Sequence, residues 1–210
     1  MTTSPFVPLP DGPPLVLASV SPRRAELLAV AGIPFEVRPA GDAEAGVAAR
    51  IGRDDPERYV VALALAKAEA VAAGCPGRLV LGADTIVVLD GAVLEKPLST
   101  GEAVRMLDRL QGRRHTVITA LALLGGAGGP ATCAERTAVE FLPLSQASIE
   151  GYVTTGEPMD KAGAYGIQGY GAMMVRRIEG CYFNVMGLPL ARLGALLRAA
   201  AAPAIPPEAS

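Results

Sequence analysis

The segment Leu79–Pro97, which reads LVLGADTIVVLDGAVLEKP, constrains the fold of this chain more than any other stretch. Its apolar run Leu79–Leu81 predicts a buried strand, and Ile86–Leu89 predicts a second β-rich run. The dipeptide Asp90-Gly91 that follows is the strongest short-range signal for a β-hairpin. We therefore expect a central strand and a return arm that ends on a lysine and a proline.

Two polar residues, Asp84 and Thr85, follow Gly82 and Ala83 at the predicted end of the first strand. A carboxylate buried at this place is costly unless it is paired, hydrogen-bonded or bound to a metal. An aspartate beside a glycine commonly caps a turn, and this interpretation stands beside a functional one. Lys96 returns on the hairpin arm and two more basic clusters lie elsewhere. Our hypothesis is that Asp84 sits at the floor of a phosphate-binding cleft.

Apolar runs, helical patterns and capping residues predict the remaining secondary structure. The predicted strands cover 15–19, 35–38, 116–124 and 137–142, followed by a hairpin with arms 172–178 and 181–186. The predicted helices cover 22–31, 55–73, 99–112, 145–153 and 188–200. Loops or turns are expected at 40–49 and 125–130.

Three basic residues occupy unusual positions on the predicted helices. Ser21 opens the first helix, and Arg23 and Arg24 follow in its first turn. Positive charge there opposes the helix dipole, which favours anions at a helix N-terminus. Either both arginines are solvated, or they share a bound phosphate with the helix N-terminus. Lys67 lies on an apolar helical stripe, where it either snorkels to water or points into a cleft with an anionic ligand.

The stretch Asp160–Gly171, DKAGAYGIQGYG, holds four glycines with polar Asp160, Lys161 and Gln168 between them. Such a loop is suited to close approach between the backbone and a ligand. A plain glycine-rich connection is the alternative. The sole histidine, His115, stands at a strand start with no second histidine or nearby cysteine, so we predict a structural or surface role for it.

Length and charge bound the organisation of the chain. Its 210 residues suit one domain or two closely joined lobes. We expect a flexible lead-in at 1–14, one catalytic domain at 15–200 and a disordered tail at 201–210. The net charge of −2 argues against nucleic-acid or membrane-surface binding, so any anion site must be local.

Several function classes are disfavoured by what the sequence lacks. Its three cysteines are scattered without a CxxC pair, which argues against a cysteine-based zinc site and fits a reducing cytoplasm. It shows no signal-peptide pattern and no membrane-length apolar run, so a cytoplasmic protein is expected. The glycine-rich stretch 125–130 is not followed by GxxxxGK[ST], which disfavours a P-loop kinase or GTPase.

Five separated motifs together resemble one known family, the Maf nucleoside triphosphate pyrophosphatases, over roughly residues 15–198. The motifs are Ser19-Val20-Ser21-Pro22-Arg23-Arg24, Gly82-Ala83-Asp84-Thr85, Glu95-Lys96-Pro97, the loop 160–169 and Asn184-Val185-Met186-Gly187-Leu188-Pro189. The resemblance implies an α/β fold: a twisted mixed β-sheet with flanking helices, in two lobes around a central cleft. It also implies hydrolysis of a nucleoside triphosphate to the monophosphate and pyrophosphate with a divalent cation, Mg²⁺ or Mn²⁺, and a homodimer.

The resemblance assigns roles to residues. Asp84 matches the family's catalytic acid, and Asp84 with Glu44 matches its metal ligands. The residues expected to bind substrate are Ser21, Arg23, Arg24, Lys67, Thr85, Lys96, Asp160, Lys161 and Gln168. The chain departs from the family pattern at Val20, where a small residue is usual, and at Ala43, where the family has an acid.

The sequence of the loop 160–169 is similar to that of the dTTP/UTP-cleaving branch of the family. The branch acting on 7-methyl-GTP tends to carry an acid at the position of Gln168. An amide can both donate to and accept from the O4 and N3–H edge of a pyrimidine, whereas a carboxylate only accepts. We therefore expect dTTP and UTP as substrates. The alternatives are a 7-methyl-GTP pyrophosphatase and a non-catalytic nucleotide-binding regulator of septum formation.

Overall fold

The computed structural model describes residues 4–7, 13–126 and 129–201. Its centre is a mixed sheet in the order β2-β1-β3-β5-β6-β7, with β4 paired to β3. β1 is parallel to β2 and β3, and the remaining pairs are antiparallel. The strands are β1 (Leu15–Leu17), β2 (Phe35–Val37), β3 (Val80–Leu89), β4 (Ala92–Leu94), β5 (Arg114–Leu124), β6 (Ala131–Phe141) and β7 (Val175–Glu179).

Helices cover the sheet and follow most of the predicted boundaries. They are α1 (Pro22–Val30), α2 (Val47–Ile51), α3 (Pro56–Ala72), α4 (Thr100–Leu110), α5 (Gln146–Thr154), α6 (Tyr182–Met186) and α7 (Leu190–Ala201), with 3-10 turns at Glu157–Asp160, Ala162–Ala164 and Gly169–Met174. Asp55, Ser99 and Ser145 accept backbone N–H bonds at the starts of α3, α4 and α5, as capping side chains do. The predicted mixed sheet with flanking helices is confirmed.

The central strand β3 differs from its prediction. The sequence favours a strand that ends before Asp84, but β3 runs unbroken through it for ten residues, so the turn-cap interpretation of Asp84 is wrong. One edge of β3 pairs with β5 from Val80 to Val88. On the other edge, β1 pairs with the start of β3 and β4 with its end. Between them, within the described residues, positions 82–86 have no strand partner on that edge.

Gly82 brings helix α3 unusually close to this open part of β3. A Cβ placed on Gly82 would lie 2.1 Å from the Ala64 carbonyl oxygen and 2.8 Å from the Ala68 nitrogen. Ala64 and Ala68 are fully buried, so small residues on both sides make the contact. Since Lys67 precedes Ala68 on the same helix, this contact holds the lysine beside Asp84.

Several element predictions are wrong in an instructive way. The stretch 181–186 is predicted as a strand but forms helix α6, because Asn184 on this helix is fully buried and hydrogen-bonded to β5 and β6. β7 therefore pairs with β6 rather than with a hairpin partner. The predicted loop at 40–49 contains the start of α2, whose Val47 packs on Tyr59 and Leu63.

The chain termini lie largely outside the described residues. Within the predicted lead-in 1–14, residues 1–3 and 8–12 are not described, whereas the Ser4 nitrogen donates to the Gly32 carbonyl at 3.0 Å. Of the predicted tail 201–210, only Ala201 is described. The predicted turn 125–130 lacks residues 127 and 128 in the described set. In the described ranges, no helix combines the length and apolar character needed to cross a membrane.

Candidate active site

A cavity of about 520 Å³ opens where β3 changes neighbours from β1 to β4. Its volume lies in the range of small-molecule sites, and an opening between neighbouring strands is a common place for them. The turn from β1 to α1 forms one wall, and the segment 160–168 forms another. All eleven residues predicted from the sequence line it: Ser21, Arg23, Arg24, Glu44, Lys67, Asp84, Thr85, Lys96, Asp160, Lys161 and Gln168.

The cavity wraps around the open edge of β3. Successive strand side chains point to opposite faces of a sheet, so Asp84 and Thr85 face opposite sides. Asp84 faces α3 and Lys67, while Thr85 faces the buried Arg24. Both nonetheless line the same cavity. A ligand in this cavity can therefore contact both faces of the sheet at once.

Lys67 bridges the two carboxylates of the site. Its ammonium donates to Asp84 Oδ1 at 2.5 Å and also contacts Glu44. Burial raises the pKa of Asp84 above its ordinary value, although Lys67 and Arg24 oppose this shift. Burial would also raise the pKa of Glu44, but Lys67, together with Asp84 and Lys96, outweighs burial and the net shift is downward. Lys67 therefore points into the cavity and is not a snorkelling surface lysine.

Arg24 is buried and held by three hydrogen bonds. Its Nε donates to the Gly187 carbonyl at 2.9 Å, its Nη1 to Ser19 Oγ at 3.0 Å and its Nη2 to Thr85 Oγ1 at 3.2 Å. Burial lowers the pKa of Arg24, and the Asp84 carboxylate opposes that shift. The solvated-surface interpretation is therefore wrong for Arg24. This guanidinium is fixed in orientation before any ligand binds.

Arg23 lies closer to the mouth of the cavity and joins its two walls. Its Nη1 donates to Asp160 Oδ2 at 3.0 Å, and the Lys161 ammonium donates to Asp160 Oδ1 at 2.6 Å. Burial would raise the pKa of Asp160, but Lys161 and Arg23 outweigh it and hold the pKa below its usual value. The contact ties the start of α1 to the 160–168 wall across the cavity.

Ser19 is a cavity residue that the site prediction omitted. Its Oγ accepts from Arg24 Nη1 and from the Ser21 nitrogen, at 3.0 and 3.2 Å. A hydroxyl has two acceptor lone pairs and one donor hydrogen. Both acceptor positions of Ser19 are therefore used, and the O–H remains for an acceptor such as a phosphate oxygen. Ser21, which precedes the first residue of α1, makes no side-chain capping hydrogen bond there.

The glycines of the 160–171 stretch mainly allow close approach within the chain. Cβ atoms on Gly163, Gly169 and Gly171 would lie within 3 Å of Val87, Glu157 and the Gly166 carbonyl. Glu157, also omitted from the prediction, accepts from the backbone of Tyr170 and Gly171 and from the Tyr152 hydroxyl, at 2.9 to 3.1 Å. This carboxylate organises the wall that carries Gln168.

The remaining predicted site residues are exposed. Lys96 lies at the end of the β4 arm, and Gln168 lies on the 160–168 wall. His115 is buried away from the cavity lining and its Nε2 lies 2.8 Å from the Tyr165 hydroxyl, which confirms the structural role predicted for it.

The two carboxylates on Lys67 fit a divalent cation. Mg²⁺ is typically held by one or two protein carboxylates together with phosphate oxygens and water. Asp84 and Glu44 converge on one positive group, the Lys67 ammonium, which shows that a cation is accommodated between them. Within the described ranges no cluster of three or more His, Cys, Asp or Glu side chains forms a metal site. Any metal here would need ligand oxygens to complete its coordination.

Taken together, the fold and the cavity define a class: an α/β protein with a cavity in which basic side chains surround one largely buried acid. The Maf-like protein family model matches residues 14–200. A protein of Moorella thermoacetica named dTTP/UTP pyrophosphatase is 55% identical over 185 residues, covering 87% of this chain and 93% of that protein. Another of that name from Symbiobacterium thermophilum is 54% identical, covering 85% and 89%.

The solved structure of the Ham1 protein of Staphylococcus aureus is similar with a TM-score of 0.50. It is 14% identical, with 88% of this chain and 98% of that chain covered, so this likeness shows the fold alone. The chain belongs to the Maf family, as its motifs predicted.

Proposed function

We propose that this protein is a nucleoside triphosphate pyrophosphatase that hydrolyses dTTP and UTP to the monophosphate and pyrophosphate. The observation that carries the proposal is the Asp84 carboxylate, whose side chain is only 13% exposed, in a cavity with Lys67, Arg24 and Arg23 around it. An acid among cations suits hydrolysis of a phosphate anhydride, where developing charge must be stabilised and water positioned. The names of the relatives at 54–55% identity support the same substrates.

The residues that line the cavity would have different roles in cleavage of the phosphate anhydride. Arg23, Arg24 and Lys96 would bind the triphosphate, and the Ser19 hydroxyl would donate to one of its oxygens. Asp84 would orient the water that attacks the α-phosphorus in line with the departing pyrophosphate. Because burial raises its pKa, Asp84 accepts a proton more readily than an ordinary aspartate does. Lys67 keeps this carboxylate in place through the bond at 2.5 Å.

A divalent cation is part of the proposal. Asp84 and Glu44 would hold Mg²⁺ or Mn²⁺, with phosphate oxygens as further ligands. Such an ion neutralises phosphate charge and polarises the bond to be broken. The bridging position of Lys67 supports this assignment, because the same two carboxylates already share one positive charge.

A panel of nucleotides tests the function. The purified protein is incubated with dTTP, UTP, CTP and 7-methyl-GTP, each with Mg²⁺, with Mn²⁺ and with a chelator, and released pyrophosphate is measured. We expect metal-dependent release that is fastest from dTTP and UTP. Faster release of pyrophosphate from 7-methyl-GTP would instead place the protein in the branch of the family that acts on 7-methyl-GTP. Saturable binding of nucleotide without any product would instead indicate a binding regulator.

Two further expectations about the molecule as a whole remain proposals: a homodimer, which the resemblance implies, and a cytoplasmic location, which the sequence pattern predicts. We propose a homodimer, which light scattering coupled to gel filtration tests through the molar mass in solution. A cytoplasmic location is tested by fractionation of cells that produce the native chain. Neither property is needed for the cavity chemistry, since one chain supplies every residue assigned above.

A further inference from the structure

A buried row of hydrogen bonds runs from the cavity into the sheet behind Thr85. Thr85 Oγ1 lies 2.9 Å from Thr119 Oγ1, its directly opposite partner on β5. Thr119 Oγ1 in turn donates to the Asn184 carbonyl at 2.8 Å, and its backbone nitrogen donates to Asn184 Oδ1 at 3.1 Å. Thr119 and Asn184 are fully buried. They lie outside the cavity lining, so no ligand touches them.

The partners of Asn184 fix how its amide is oriented. Its Oδ1 faces a backbone N–H, and its Nδ2 donates to the Val117 carbonyl at 3.1 Å and to Thr137 Oγ1 at 2.9 Å. A flipped amide would place nitrogen against the Thr119 N–H and oxygen against the Val117 carbonyl, which are both repulsive. Asn184 therefore has one orientation, and α6 is held against β5 in one position.

Because α6 is fixed in this way, the hydroxyl hydrogens of Thr119 and Thr85 each have one possible acceptor. The single hydroxyl hydrogen of Thr119 is committed to the Asn184 carbonyl. Thr119 can then only accept from Thr85, so the Thr85 hydroxyl hydrogen points into the sheet. Thr85 Oγ1 keeps two acceptor positions, and Arg24 Nη2 uses one of them. One acceptor position of Thr85 remains for a ligand, and no donor remains.

We propose that Thr119, held by Asn184, is a positioning residue that makes Thr85 a hydrogen-bond acceptor only, and thereby selects pyrimidines that carry an N3–H donor. The inference rests on the proposed function. Thymine and uracil have a hydrogen on N3, whereas N3 of cytosine is an acceptor. A hydroxyl that cannot donate leaves the cytosine nitrogen without a partner, and an unpaired polar group in a buried site is penalised.

The apolar lining of the cavity beside Thr85 suits a base on that side. On that face of the sheet, Val87 and Val117 are directly opposite each other and line the cavity beside Thr85. Apolar side chains suit the face of a nucleobase. The opposite face carries Asp84 and Lys67, which suit phosphates and a metal. We expect a nucleotide that wraps around the open edge of β3 to place its phosphates between Arg24 and the Asp84 face, and its base against Val87 and Val117.

The test compares UTP with CTP, which share ribose and triphosphate and differ at N3 and C4. We expect the wild-type protein to prefer UTP in kcat/KM. In Thr119→Val, the shape is kept but the acceptor for the Thr85 hydrogen is lost, so Thr85 can rotate and donate to cytosine. The UTP/CTP ratio should fall about threefold to tenfold, the size of one hydrogen bond. Thr119→Ser, which retains the hydroxyl, should keep the wild-type ratio.

The possible outcomes separate the inference from the function on which it rests. No pyrophosphate from UTP with the wild-type protein would refute the proposed function. Wild-type turnover with an equal loss for both nucleotides in Thr119→Val would show a merely structural residue and overturn the inference alone. If the valine variant does not fold, the same UTP/CTP comparison is made with Thr119→Ala, which removes the hydroxyl without filling the space of the side chain.

A measurement on the wild-type protein needs no variant. We compare N3-methyl-UTP, which lacks the N3–H donor, with 5-methyl-UTP, which keeps it and carries an equal number of methyl groups. We expect the N3-methyl compound to be cleaved about tenfold or more less efficiently, since the Thr85 acceptor then meets no donor. Equal efficiencies would overturn the inference.

Discussion

Lys67 stands at the centre of the site at the scale of single residues. Its ammonium occupies the space between Asp84 and Glu44 and balances the negative charge of both carboxylates, of which Asp84 is largely buried. The same space is where a divalent cation would bind. The lysine therefore both preorganises the acids and competes with a metal in the nucleotide-free protein.

Replacing Lys67 with methionine should strengthen metal binding while it weakens catalysis. Without the ammonium, both carboxylates are free to bind a cation, and we expect the affinity of the nucleotide-free protein for Mn²⁺ to rise on the order of tenfold. Calorimetry or electron paramagnetic resonance measures this. Lys161→Met is the matched control, because it removes a cavity lysine that bonds to Asp160 instead. An unchanged Mn²⁺ affinity in Lys67→Met would contradict the assignment of the metal ligands.

His115 makes stability depend on pH. Burial lowers the pKa of His115 to about 4 from its ordinary 6.5. Between pH 6.5 and about 4, His115 is therefore protonated in the unfolded chain but not in the folded protein. The free energy of unfolding should consequently fall as the pH decreases through this range. The full loss is on the order of 3 kcal/mol.

Urea denaturation at several pH values measures this effect. His115→Gln removes the titration while leaving a polar partner for the Tyr165 hydroxyl. Its free energy of unfolding should depend less steeply on pH across that window. An identical slope in the variant would mean that other groups, and not His115, cause the acid sensitivity.

At the scale of elements, the packing of α3 on β3 sets the distance between Lys67 and Asp84. Gly82→Ala places a methyl group 2.1 Å from a backbone oxygen of α3, so the helix must move. We expect a loss of about 1–3 kcal/mol in the free energy of unfolding, as overpacked cores show, together with reduced turnover. Denaturant unfolding and pyrophosphate release measure the two effects.

Gly151→Ala is the matched control for Gly82→Ala. Gly151 is an exposed residue within α5, and a Cβ there would meet nothing within 4 Å. Alanine in an exposed helix is favoured over glycine by about 0.5–1 kcal/mol, so this variant should be equally or more stable. If Gly82→Ala were as stable and active as Gly151→Ala, close packing of α3 would not position the site.

The sequence predicts this fold well where the signal is local. Capping by Asp55, Ser99 and Ser145 places three helix starts correctly, because each cap is decided within four residues. The predictions fail where distant contacts decide. Asn184 turns a β-rich stretch into helix α6 by burying its amide between β5 and β6, and no local pattern reveals that contact.

The site shows the same division between local and distant signals. The cavity contains all of the residues selected by motif, because unusual charges, such as Arg24 in a first helical turn, are visible in the sequence. The hydrogen-bond partners are not visible. Ser19, Glu157 and Thr119 act through hydrogen bonds that only the folded geometry identifies.

At the scale of the whole molecule, the cavity joins distant parts of the chain. The turn after β1, helix α3, strand β3 and the 160–168 segment all contribute to its lining. A ligand that binds this assembled cavity but not the unfolded chain must stabilise the fold. We expect the Tm to rise with UTP concentration in Asp84→Asn, in which substrate persists. Thermal scans measure it, and a Tm independent of UTP would argue against nucleotide binding in this cavity.

The central claim is that the largely buried Asp84 carboxylate is the catalytic acid for nucleotide hydrolysis in this cavity. Asp84→Asn keeps the shape and removes a buried charge whose pKa is already raised by burial, so the variant should remain folded. Pyrophosphate release from UTP and dTTP, measured beside circular dichroism of the same samples, tests the claim most directly. We predict a folded variant that binds nucleotide and releases no pyrophosphate above background. A folded Asp84→Asn protein with near wild-type turnover would contradict the account.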